Sequence, residues 1–160
     1  MTTKDAFSAE EWVRVRRAPF VAGMAISLAD PGGPFEVAKE TMATLRFATN
    51  PPTREQLLTE VALELQAMTQ RKENPLSDFK PAKDSPVGSQ VLTELREVCG
   101  IVEAKAEQDE YDGFRAWLVS TAEAAAAAAK EGGFMGFGAV QVSEGEKAML
   151  EQLRSELDLK

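Results

Sequence analysis

A chain of 160 residues, 44% of them hydrophobic, is the size of one domain and apolar enough to build a core. Its net charge of −8 argues against a nucleic-acid partner, whose phosphates call for a basic face, and against an anionic membrane surface. With no histidine and one cysteine, an intrachain disulfide, His-activated Ser or Cys nucleophiles, the usual zinc ligand sets, haem on an axial His and the Glu-x-x-His di-iron signature are all excluded.

Apolar residues return at helical spacing almost throughout. Ser8 and Glu11 form a capping box that opens a first helix over 9–18, with Trp12 and Val15 on its inner face. The neighbouring Arg14, Arg16 and Arg17 read as a solvated face with local ion pairs to Glu10 and Glu11. Pro19 begins or kinks a second, mostly buried segment over 19–29, which Asp30-Pro31-Gly32-Gly33 ends. This is the longest apolar run, and it is too short to span a bilayer. No signal peptide precedes it, so the expected location is the cytoplasm.

Pro34 opens a third helix to about residue 47, with Val37, Ala38, Met42 and Leu45 expected inside. Thr53 and Gln56 predict a second capping box for a fourth helix over 54–71, whose inner set is Leu57, Leu58, Val61, Leu65 and Met68. A polar, proline-containing loop follows over 72–85. The fifth helix, 86–106, turns Val87, Val91, Leu95, Val98 and Val102 inward, with Cys99 beside them as a buried, inert thiol. An acidic start at Asp109 to Asp112 leads into the sixth helix, 110–130. Its inner residues are Tyr111, Phe114, Trp117, Leu118 and Thr121, and it ends in six alanines, Ala124 to Ala129, which let a neighbour approach closely. Ser143 and Glu146 make a third capping box for the last helix, to about residue 157, with Met149, Leu150, Leu153 and Leu157 inside. The expected fold is all-α, a single-domain bundle of six to seven helices whose spine is the fourth, fifth and sixth.

One segment does not read as routine. Gly132, Gly133, Phe134, Met135, Gly136, Phe137 and Gly138 interleave pliable backbone with large apolar side chains, within a Gly/Phe-rich loop over 131–142. Two readings stand: the side chains plug the end of the bundle, or they form a candidate interaction loop for a partner, a ligand or a second copy. The loop lacks the Gly-Lys-Ser/Thr ending of a phosphate loop and the glycine spacing of a dinucleotide fold. Asp109 to Gly113 starts like a calcium loop, but Val119 stands where the closing Glu belongs. The order apolar helix, Gly-Gly, acidic helix occurs twice, at Gly32-Gly33 and at Gly132-Gly133, as a duplicated hairpin or a coincidence of small residues.

Ala18-Pro19-Phe20 with Gly23 and Asp30-Pro31, and Glu131-Gly132-Gly133-Phe134 with Gly136-Phe137-Gly138 and Ser143 to Glu146, resemble a family of bacterial all-helical proteins without an assigned activity. That resemblance implies a bacterial cytosolic origin. At pattern level the hairpins are also similar to TerB-like tellurite-resistance domains, all-helical and linked to metal-ion binding. Lys130-Glu131-Gly132 departs from the Ala-Asp-Gly of that pattern, and the spacing to Ser143 is longer, so no metal ligand is carried over. With no catalytic, cofactor or metal residues assigned, the expected function is non-enzymatic binding or assembly, with a homodimer as the candidate partner. The alternatives are a small-molecule or divalent metal-ion binding domain, and an enzyme working without histidine.

Overall fold

The computed structural model describes residues 1–29, 34–80, 86–130 and 144–157, without the side chains of 28, 29, 34–39, 129 and 130. After a short 3-10 turn at Lys4–Ala6 come six helices: α1 (Ala9–Ala29), α2 (Pro34–Ala48), α3 (Gln56–Gln70), α4 (Val87–Lys105), α5 (Gln108–Lys130) and α6 (Glu144–Glu156). No strand occurs among the described residues, and the all-α bundle is as expected. None of the described helices is long and apolar enough to cross a membrane.

Side-chain pairs fix the helix directions. Gly23 meets Thr44 and Ser27 meets Glu40, so α1 and α2 are antiparallel. Arg17 with Glu94 and Lys105 with Glu11 set α4 antiparallel to α1. Arg115 with the Leu157 carbonyl and Arg154 with Glu123 set α6 antiparallel to α5. α1 and α5 each pack against every other helix. The spine is therefore this pair, not the expected trio of α3, α4 and α5.

The correction traces to Pro19. Proline lacks an N–H and crowds the preceding turn, which normally costs about 3 kcal/mol inside a helix. Here α1 nonetheless runs unbroken through it. Val15, Ala18, Val21, Ala22, Ala25 and Ile26 of α1 are fully buried, and the packing of that long face offsets the local penalty. Small residues at Ala18, Ala22, Gly23 and Ala25 also let several helices approach at once.

At the helix starts, the Ser8–Glu11 box forms as expected: the Glu11 N–H donates to Ser8 Oγ at 3.1 Å, and the Ser8 N–H to Glu11 Oε1 at 2.8 Å. The second box does not form. Glu55 occupies the cap of α3 without a side-chain cap bond, and the Leu57 N–H instead donates to Glu110 of α5. Ser143 of the third lies outside the described residues. The inner sets expected for α3 and α6 are buried, as are Phe114, Trp117, Leu118 and Thr121 of α5. Tyr111 is only partly buried against the core.

α2 departs most from expectation. Met42, expected inside, is 71% exposed, and Phe47 is 40% exposed. Glu40 and Thr44 are buried in their place. The cause is the crossing with α1. A Cβ on Gly23 would overlap the Thr44 side chain, lying 2.8 Å from its Cβ and closer still to Oγ1 and Cγ2. Only glycine admits this contact, and the contact turns Thr44 and Glu40 toward α1. Ser27 Oγ donates to the Glu40 carboxylate in the same seam.

Gly23→Ala should therefore destabilise the fold by about 1–3 kcal/mol in urea unfolding, the range for overpacking, and Thr44→Ala in the same chain should recover part of the loss. Gly100 of α4 is the converse case: a Cβ there meets nothing within 4 Å. Gly100→Ala should raise stability by about 0.5–1 kcal/mol in the same assay.

Candidate functional site

The turned-out face of α2 lies beside the alanine run of α5. Met42, Ala43, Arg46 and Phe47 from α2, with Ala124, Ala127 and Ala128 from α5, line an open groove of about 600 Å3. Backbone geometry holds it in place: the buried indole of Trp117 on α5 donates to the Phe47 carbonyl at 2.7 Å. The alanines keep the wall shallow, because no side chain reaches beyond Cβ. Among the described residues of the lining, Arg46 is the single charged one. The arrangement offers apolar contact area and one cation, which suits recognition of an apolar surface.

The candidate loop from Gly132 to Gly138 lies outside the described residues. Of the helical alanines that precede it in the chain, by contrast, Ala124, Ala127 and Ala128 are groove wall, while Ala125 and Ala126 are buried in the core. No signal in the periodicity of α2 foretold the groove, since Met42 fits an inward stripe by spacing alone.

The ionisable groups that stood out in sequence serve structural roles. Arg14 does not pair locally with Glu10 or Glu11, and instead bonds Glu94 of α4 at 3.0 and 2.8 Å and Glu97 at 2.6 Å. Arg17 bonds Glu94 at 3.1 Å and lies over the Phe79 ring at 5.3 Å. Arg16 reaches Glu64 of α3. Thus the basic cluster clamps α1 to α3 and α4. Burial opposes the charge on Glu94, but Arg14 and Arg17 prevail and hold its carboxyl below the usual range.

Glu110, taken in sequence as part of an acidic helix start, is only 3% exposed. Its carboxylate accepts backbone N–H bonds from Thr2 at 2.8 Å, Glu107 at 3.2 Å and Leu57 at 3.3 Å. It thereby ties the amino-terminal segment, the start of α3 and the start of α5 to one point. Burial works against its charge, yet these donors outweigh it and keep the carboxyl below its ordinary value. Cys99 is buried as expected, and burial pushes its thiol up to about 12, so little thiolate forms near neutral pH. The phenol of Tyr111 is likewise raised by burial, with the Arg115 guanidinium 4.5 Å above its ring. Among the described residues no group of three or more Cys, Asp or Glu side chains could hold a metal ion.

Comparisons with protein-family models, with curated proteins and with solved structures find no match to this chain. The functional reading therefore rests on the geometry.

Glu110→Gln should cost about 1–3 kcal/mol near neutral pH, because an amide nitrogen would face backbone donors that now have an acceptor. A depressed folded-state value means that the carboxylate stabilises the fold above its unfolded value, near 4.5, and that this contribution is lost as pH falls through the folded value. The gap between wild type and Glu110→Gln in chemical unfolding should accordingly narrow as the pH is lowered below about 4.5.

Proposed function

We propose that this chain is a non-enzymatic binding or assembly protein of the bacterial cytosol, and that the α2–α5 groove is its working surface. One observation carries the reading: α2 turns Met42 and Phe47 to solvent beside an alanine-walled groove while burying Glu40 and Thr44. Exposed apolar side chains occurring singly are ordinary, but contiguous ones in a groove mark a surface to be covered. Further support comes from the groups that could carry chemistry. The thiol is buried and protonated, and the carboxylates of Glu94 and Glu110 are committed to arginines and backbone donors. A single reduced, buried cysteine suits the cytosol, and the resemblance read from the residues supports a bacterial origin.

An apolar fluorescent sulfonate such as 1-anilinonaphthalene-8-sulfonate matches both the apolar lining and Arg46. At low protein concentration it should bind the folded chain with a rise in fluorescence. Met42→Glu, at a position 71% exposed, should remove at least half of that rise and leave the melting temperature unchanged. No rise with the wild type, or an equal rise with Met42→Glu, would overturn the reading.

A further inference from the structure

We infer that Met42 is a reversible oxidation site that switches the α2–α5 groove off. The inference rests on the groove reading above and adds a control to it. A peroxide-class oxidant supplies the oxygen. Its O–O bond breaks, one oxygen joins the Met42 sulfur to give the sulfoxide, and the other leaves as water. The sulfur gives up two electrons and the peroxide takes them. Methionine sulfoxide reductases return the sulfoxide to the thioether, so the change can be undone.

The placement of the sulfur atoms singles Met42 out. The chain holds one cysteine and six methionines. Cys99 is buried, with its thiol pushed up to about 12, and offers an oxidant almost no thiolate. Met68 and Met149 are buried, and Met24 packs partly buried against the core. Met135 lies outside the described residues. Met42 is 71% exposed. Met1 is exposed as well, but it pairs with Glu107 at the far end of α5 from the groove alanines. Met42 is thus the one described sulfur that is both open to solvent and part of the groove.

The groove gives the modification its effect. Its α5 wall is Ala124, Ala127 and Ala128, whose methyl groups hold no donor for a sulfoxide oxygen. Oxidation turns a flexible apolar side chain into a polar one. An apolar surface laid over it would strip the sulfoxide of water and give it no partner from that wall. The donor side chain of the described lining is Arg46, one turn further along α2. Its guanidinium can reach the sulfoxide oxygen and is then drawn away from a bound anion. One oxygen atom therefore acts on both features of the groove, its apolar rim and its cation. The fold is spared, because the Met42 side chain contributes little to the core.

Graded hydrogen peroxide followed by peptide mass mapping tests the site. In the folded chain Met42 should oxidise about tenfold faster than Met68 and Met149. At the dose that converts Met42, the melting temperature should stay unchanged and most of the naphthalene sulfonate fluorescence rise should be lost. Sulfoxide reductases acting on both epimers should restore it. Met42→Leu has no sulfur at this position, so its own fluorescence should be the same before and after peroxide. A Met42 that oxidises no faster than Met149, an oxidised wild type with its rise intact, or a Met42→Leu chain that loses its rise to peroxide as the wild type does, overturns the inference. The groove reading fails in a different way: the reduced wild type then gives no rise at all, and the switch goes with it.

Discussion

The rest of the architecture depends on the crossing of α1 and α2 at Gly23. The absence of one carbon atom there admits the Thr44 side chain against the α1 backbone. A helix has few ways to rotate once one residue is pinned, because its side chains follow at fixed angular intervals. With Thr44 held against α1, Glu40 one turn earlier is drawn into the same seam, where Ser27 donates to it. Met42, two positions before Thr44, is carried to the opposite side by the same rotation, and Phe47 is left partly exposed near the end of the helix. The outward apolar face of α2 is thus the far end of a steric fit made in the core.

That chain of causes explains what could and could not be read from residues alone. Four of the six helices, α3 to α6, were legible because apolar spacing and burial agree in them. α3 buries Leu57, Leu58, Val61, Leu65 and Met68, and α6 buries Met149, Leu150, Leu153 and Leu157. α2 misleads because Met42 fits an inward stripe by spacing yet faces solvent, while Leu45 of the same stripe packs against the core. Periodicity reports that a stripe exists and is silent on which way it points. Gly23 was visible as a small residue in an apolar run, but its role needs a partner from another helix.

Two further departures share a cause. Pro19 suggests a break, and Thr53 with Gln56 suggests a cap; both are local signals. Tertiary contacts override them: α1 is embedded on most sides, and the α3 start finds an acceptor in Glu110, more than fifty residues along the chain. The arginine cluster follows the same pattern, with partners on α3 and α4 rather than one turn away. The groove was illegible for a similar reason. Its alanines were noted as permitting close approach, yet the neighbour that completes the site, α2, became apparent only once its rotation was known.

The central place of α1 bears on how the chain is made. This helix leaves the ribosome before the others, yet two of the surfaces that cover it, α5 and α6, are translated last. A nascent chain can form the α1–α2 hairpin early, but the greasy flank of α1 stays uncovered until more than a hundred further residues have emerged. Such a chain has a long interval in which chaperones can engage α1, and the packing around that helix is completed only when α5 and α6 have been made.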